Sequence, residues 1–155
     1  LSMPDLDRML TPRGRKSALR MGQYIHAENL IPDYVVCSSA TRTRQTHEVL
    51  LGTFARPVPV QFEPLIYEAP YERLLAVIQR CPDSAETVLI LGHNPGLEDL
   101  TDALMMTADP AAEKRFRFKY PTCALSVLAF KTSHWEDLTE HSGHLERFVA
   151  PKHLE

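Results

Sequence analysis

No stretch of the sequence reaches the ~18 consecutive apolar residues that a membrane-spanning helix needs, and no signal peptide is visible. Cysteine is scarce. Cys37, Cys81 and Cys123 are odd in number and lack metal-ligand spacing, which argues for free thiols in a reducing compartment and a cytoplasmic protein. Neither charge sign dominates: 17 Lys and Arg stand against 20 Asp and Glu, for a net charge of −3. With a pI near 6.2, this balance gives no sign of a nucleic-acid or membrane-surface partner. There is no G-x-x-x-x-G-K-[ST] loop and no G-x-G-x-x-G turn, so a nucleotide-binding module of either kind is disfavoured. Internal repeats, low-complexity tracts and linkers are also missing.

What remains is an ordinary globular composition, 44% hydrophobic and 24% charged over 155 residues, enough for one domain with a real core. LSMPDLDRMLTPRGRKSA is polar, broken by proline, and reads as a loop running into a helix. Helical periodicity holds over 12–29, with Ala18, Met21, Gly22 and Ile25 on one face. Tyr34–Ser38 is a continuous apolar strand of the kind buried on both faces of a parallel sheet. A helix is expected over 41–51, a strand over 58–62 and a helix over 71–79 with Leu74, Leu75 and Ile78 at core spacing. A second apolar strand covers 87–91, a helix 97–106, a strong strand 122–130, and a short edge strand 144–149. FRFKYPTC at 116–123 fits either an exposed edge or an approach to the core. Strands alternating with helices predict an α/β fold with a largely parallel sheet. Such folds normally open with a strand, and this chain opens with a loop and a helix.

Chemistry in open α/β sheets gathers at the carboxyl ends of strands, and two strand ends here are unusual. One runs LILGHNPGL (89–97). Asn94 suits an N-cap and Pro95 the first helical position, which puts His93 where backbone N–H groups favour an anion. For a lone histidine, capping or packing is the plainer reading. The other strand end is Cys37-Ser38-Ser39, followed by Thr41-Arg42-Thr43-Arg44-Gln45-Thr46. Arg42 lies in the first turn of a helix, near the positive end of its dipole. A cation gains nothing there unless an anion lies opposite, and guanidinium grips phosphate bidentately. Arg44 reads as a solvated surface residue. Ser38 and Ser39 could donate to the same anion or simply form the turn. A cysteine phosphatase needs five residues between cysteine and arginine; counting from Cys37, that position holds Thr43, so this chemistry is rejected. Asp5, Asp7, Arg8 and Arg13 read as a solvated loop, with Leu10 as anchor and Gly14 as turn.

Taken together, these pieces resemble the histidine phosphatase superfamily, with its phosphoglycerate mutase-like fold, and most closely its small SixA-type branch of phosphohistidine phosphatases. The resemblance is carried by DLDRMLTPRG (5–14), DYVVCSSATRTRQT (33–46), LIYEAPYERLLAVI (65–78), LILGHNPGLEDL (89–100), and PTCALSVLAF with Trp135 and FVAPK (148–152). It implies a three-layer α/β/α domain over 1–155. It also implies a metal- and cofactor-independent phosphatase acting on phosphohistidine in proteins or on small phosphate monoesters, through a phosphohistidine enzyme intermediate. By position, His93 would donate hydrogen bonds to the phosphoryl oxygens, Arg42 and Arg8 would bind phosphate with Asn94 beside them, and Glu68, with Glu63 nearby, would be the general acid. Either glutamate also fits a solvated loop. The chain is short for a mutase, lacking the insertions that would shape a phosphoglycerate site. One departure is large. The superfamily's Arg-His nucleophile motif is absent: none of the seven histidines (His26, His47, His93, His134, His141, His144, His153) follows an arginine. The expectation is that the first strand and this motif lie upstream of Leu1. If they do not exist, a non-catalytic phosphate-binding or regulatory domain is the alternative.

Overall fold

The computed structural model describes residues 4–155. The first three residues of the expected opening loop, and the strand expected upstream of them, lie outside the described residues. Two compact units are formed, one from residues 4–68 with 84–93 and one from residues 69–83 with 94–155.

In the first unit a single 3-10 turn at Asp5–Asp7 precedes α1 (Pro12–Ala27). The start of α1 is written in its sequence. The Thr11 side chain accepts from the Gly14 N–H at 3.0 Å, and Pro12 takes the first helical position, where its missing N–H costs nothing. The face predicted for this helix is the buried one: Ala18, Met21, Gly22 and Ile25. It packs on α2 (Thr41–Thr53) so closely that a Cβ on Gly22 would meet Thr53 Oγ1 at 2.3 Å. Behind the helices lies a three-stranded sheet in the order β2-β1-β3, with β1 at Tyr34–Ser38, β2 at Val60–Glu63 and β3 at Val88–Leu91. Both pairings are parallel, with Val36 opposite Gln61 on one side and Ile90 on the other. The central strand is β1, and its four residues Val35–Ser38 are all buried, which explains why its sequence is apolar without alternation. Its carboxyl end therefore opens between two neighbours, where α2 begins.

The second unit carries α3 (Tyr71–Gln79), α4 (Gly96–Leu104), β4 (Met105–Ala108), α5 (Pro110–Phe118), β5 (Leu125–Ala129) and β6 (Gly143–Val149). Its sheet runs β4-β6-β5, parallel between β4 and β6 and antiparallel between β5 and β6. The expected edge strand over 144–149 is thus the central one, and it is the longest strand described. The helix expected over 97–106 ends at Leu104, because the chain turns to extended backbone at Met105 and becomes β4. An N-cap at Asp109, whose carboxylate accepts from the Ala112 N–H at 3.0 Å, then starts α5. Neither β4 nor α5 was expected. FRFKYPTC proves to be both things at once: Phe116 is buried while Phe118, two residues on, is exposed. Phe116, Phe148 and Tyr120 meet edge-on or tilted with centroids 5.2–5.9 Å apart and pack with Met105, Ala112 and Leu145. Each fully buried Phe or Leu of this kind contributes about 1.5–3 kcal/mol. Among the described residues no helix is long and apolar enough to cross a membrane.

Candidate functional site

The carboxyl ends of β1 and β3, the first turn of α2 and the loop before α1 meet at one cluster. Its frame is a set of hydrogen bonds local to the β1–α2 turn. Thr43 Oγ1 lies within bonding distance of the carbonyls of Ser38 (3.0 Å) and Ala40 (2.8 Å), and the Ala40 N–H donates to Ser38 Oγ at 3.2 Å. Gln45 Oε1 accepts from the Leu10 N–H at 2.7 Å, which ties the α1 approach, and Arg8 with it, to α2. Thr46 Oγ1 donates to the Arg42 carbonyl at 2.9 Å. The segment Arg-x-x-Gln-Thr thus has a physical reading: one residue reaches outward and the next two anchor its surroundings.

Arg42 and His93 are brought together. Arg42 Nη2 lies 3.1 Å from His93 Nδ1, and His93 Nε2 lies 2.7 Å from Ser38 Oγ. Guanidinium only donates, so Nδ1 must be the accepting nitrogen; the neutral ring then carries its proton on Nε2 and donates it to Ser38. Burial pushes the His93 pKa down, and the adjacent Arg42 charge pushes it the same way, against a weaker pull from Asp5 and Glu68. His93 is therefore a neutral imidazole held at both nitrogens. Its expected donation to a phosphoryl oxygen requires it either to release Ser38 or to take a second proton at Nδ1. Ser38 is fully buried, and it is the partner of His93 and a turn acceptor rather than an anion donor in this arrangement.

The loop residue Asp5 is not solvated filler. Its Oδ1 pairs with Arg8 Nη2 at 2.9 Å. Oδ2 accepts from Arg42 Nη2 at 3.3 Å and from the Tyr67 hydroxyl, while the Asp5 backbone carbonyl accepts from Arg42 Nη1 at 3.0 Å. The Tyr67 hydrogen bond is the largest influence holding the Asp5 carboxyl below its usual range, followed among the lowering influences by the Arg42 and Arg8 charges. The same hydrogen bond pushes the Tyr67 phenol up to about 12. Tyr67 also sits edge-on to the His93 ring, with centroids 5.3 Å apart. Glu68 borders the cluster: its charge helps push the Tyr67 phenol up and acts on His93. Its backbone is left-handed, with φ of 52°, an uncommon conformation for a residue with a Cβ and one that gathers at functional sites.

The remaining predicted positions fall elsewhere. Glu63 Oε2 accepts from the Leu65 N–H at 3.4 Å, capping a short turn. Asn94 is not an N-cap. The Asn94–Pro95 peptide is cis, α4 begins at Gly96 with Pro95 before it and no side-chain cap, and Asn94 Nδ2 donates to the Tyr120 carbonyl at 3.4 Å within the second unit. The tight start at Gly96 is steric, since a Cβ there would lie 2.5 Å from the Ala69 carbonyl oxygen. Arg44 packs its guanidinium over the Phe62 ring at 4.4 Å. Cys37 is buried, donates weakly to the Ser38 and Thr43 carbonyls, and has its thiol pushed up to about 12 by burial, far from a nucleophilic thiolate. Among the described residues no three His, Cys, Asp or Glu side chains gather as metal ligands would. Sequence reasoning missed Asp5 and Tyr67 as members of the cluster. The signal available was their place inside DLDR and LIYEAP, two of the segments that carry the resemblance.

Comparison with known proteins follows the same segments. Residues 3–73 match the profile of the histidine phosphatase superfamily (branch 1). An uncharacterised protein of Mycobacterium tuberculosis is 32% identical over 150 residues, covering 96% of this chain and 92% of its own length. A solved structure from Nakamurella multipartitia, provisionally assigned as the phosphohistidine phosphatase SixA, superposes with a TM-score of 0.82 at 30% identity over 97% of this chain and 89% of that one. The structure of the protein histidine phosphatase SixA complexed with tungstate superposes with a TM-score of 0.78 over 100% of this chain and 92% of that one. At 18% identity it speaks for the fold alone.

Proposed function

Because the chain belongs to the histidine phosphatase superfamily and shares the SixA-type, phosphoglycerate mutase-like α/β fold, we propose that it is a cytoplasmic phosphatase acting on phosphohistidine in proteins or on small phosphate monoesters. Residues 1–155 would form one histidine phosphatase-like domain. The observation that carries the reading is the convergence of two guanidiniums, Arg8 and Arg42, on a single carboxylate at the carboxyl end of the parallel sheet. Guanidiniums released from that carboxylate can grip a phosphoryl group bidentately.

In this reading the phosphoryl group takes the place of the Asp5 carboxylate. Arg8 and Arg42 face its equatorial oxygens, and their charge stabilises the transition state as negative charge spreads over them. His93 holds the Arg42 guanidinium and contributes a donor when its ring is released or protonated. A nucleophilic histidine nitrogen attacks phosphorus in line, the bond to the leaving group breaks, and the leaving atom keeps the bonding pair. Glu68 protonates an oxygen leaving group. Water then attacks the phosphohistidine and releases inorganic phosphate. The cationic side chains supply the charge that a metal would otherwise supply.

Turnover needs an Arg-His nucleophile; binding does not. A protein without that motif would be a phosphate-binding or regulatory domain, the second reading. One experiment separates them. The full gene product is incubated in EDTA with a phosphohistidine peptide and, separately, with p-nitrophenyl phosphate. Released phosphate and an acid-labile, base-stable phosphoenzyme support the phosphatase. Phosphate binding that depends on Arg42, without release or phosphoenzyme, supports the binding domain. Absence of both refutes the site.

A further inference from the structure

Asp5 is joined to three side chains at once. Its partners lie three residues away in Arg8, 37 away in Arg42 and 62 away in Tyr67, and the neighbouring Leu10 is pinned to Gln45. Such an arrangement is set by folding, not by a chance encounter of surface charges. Three of the five N–H donors of Arg42 are engaged, two of them by Asp5. The carboxylate thus already occupies the geometry that an incoming phosphoryl group needs. Charges in the described cluster are also balanced: Arg8 and Arg42 against Asp5 and Glu68, with His93 neutral. A phosphoryl group that takes both guanidiniums strips Asp5 of its ion pairs. It does not remove the carboxylate, which stays beside the site on the Tyr67 hydroxyl. The displaced charge then repels a dianion and attracts a cation.

We propose that Asp5 is a selectivity residue, a built-in counter-ion that favours phosphoramidates with a protonated imidazole leaving group over dianionic phosphate monoesters. The inference rests on the phosphatase reading and assigns its substrate preference to one side chain. A protonated phosphohistidine ring brings its own positive charge to the carboxylate that its phosphoryl group displaces. When the P–N bond breaks, the bonding pair passes to the ring nitrogen. The imidazole leaves neutral, its remaining N–H unchanged, and no proton is needed from the protein. A monoester brings no cation, and its oxygen needs a proton from the protein. Asp5 is thus a positioning residue toward Arg8 and Arg42 and a direct electrostatic partner only of the cationic leaving group.

The test compares the full gene product with its Asp5→Asn variant, which keeps the shape and loses the charge. kcat/KM is measured for a phosphohistidine peptide and for p-nitrophenyl phosphate, with inhibition by inorganic phosphate alongside. The expected result is a shift of at least tenfold in the substrate ratio toward the monoester, with phosphate inhibiting at least fivefold more tightly. An equal loss on both substrates, or an unchanged ratio, overturns the proposal, because a residue that merely positions the arginines would move both together. Should Asp5→Asn fail to fold, Tyr67→Phe loosens the same carboxylate. It must shift the ratio in the same direction, two- to fivefold, and no shift overturns the proposal. If the unaltered protein turns over neither substrate, the phosphatase reading fails separately. Asp5 is then judged on inorganic phosphate binding alone, where Asp5→Asn must tighten affinity at least fivefold.

Discussion

Removing the Ser38 hydroxyl should separate the frame of the site from its chemistry. Ser38 is fully buried, and its Oγ accepts from the Ala40 N–H at 3.2 Å and from the His93 ring at 2.7 Å. In Ser38→Ala both donors lose their acceptor. His93 is only partly buried and can recover a water partner, so its share is small. Ala40 is completely buried, and its N–H is left without one, at about 1–3 kcal/mol. The sum should be about 1–3 kcal/mol of stability. At about 2–4 °C per kcal/mol for a chain of this size, thermal unfolding should fall by roughly 2–12 °C. Activity should fall further than stability explains. The His93 ring, anchored then only by Arg42, loses its fixed orientation, and kcat/KM should drop by about 10-fold or more for a misplacement of this order. Ser39→Ala, in the same turn, should stay within about 0.5 kcal/mol of the unaltered protein. The assays are thermal unfolding by circular dichroism and phosphate release at a temperature where both variants are folded. A Ser38→Ala protein that is destabilised as stated but keeps its kcat/KM would refute the claim that Ser38 orients His93. Unchanged stability would refute the buried-donor argument itself.

Two other outcomes are expected. Arg42→Ala should lose about 2–4 kcal/mol of transition-state stabilisation, by analogy with removal of an oxyanion donor, which is about 30- to 900-fold in kcat/KM; His93→Ala should lose a similar amount while remaining folded. Activity within threefold of the unaltered protein, in either folded variant, would remove that residue from the site. The second outcome concerns acid stability. His47 is buried, its Nε2 has no hydrogen-bond partner among the described residues, and desolvation lowers its pKa from 6.5. The unfolded chain therefore takes up the proton first. The stabilising effect is complete above about pH 6.5 and is lost as pH falls toward the lower folded value, with His93 acting in the same sense. Urea midpoints measured from pH 7 to pH 5 should fall less steeply in His47→Leu; parallel curves would show that the buried imidazole carries no such penalty.

Much of the first unit was legible because its signals are local. Four consecutive buried residues in β1 and a Thr-Pro start to α1 leave few alternatives, and the bounds of β1 and α3 match the sequence expectation. The misreadings arose where two patterns imitate one another. Asn94-Pro95 has the composition of a cap and a first turn, yet the cap position falls one residue later, at Pro95, and α4 begins at Gly96. Met105-Met106 continues the apolar spacing of Leu100 and Leu104, so nothing in the periodicity marks the change to β4. Only Asp109-Pro110 announces a new helix. In the site, Arg42 and His93 could be nominated because each stands at a strand end. Asp5 could not, because its role lies entirely in partners 37 and 62 positions away, and a local reading of DLDR sees only charge in a loop.

Arg42 is the residue on which these separate observations converge. It donates to a carboxylate and to an imidazole through the same nitrogen, so each partner conditions the other. Burial, and after it the guanidinium charge, keep His93 from taking a proton, and the carboxylate offsets part of that charge. An anion arriving at Arg42 enters this competition on both sides. It displaces Asp5, and it compensates the charge that held the His93 ring neutral. The helix-terminal position of Arg42 fits this role: in the first turn of α2 the helix dipole gives a cation no local support. Its position is maintained by Asp5 and by His93.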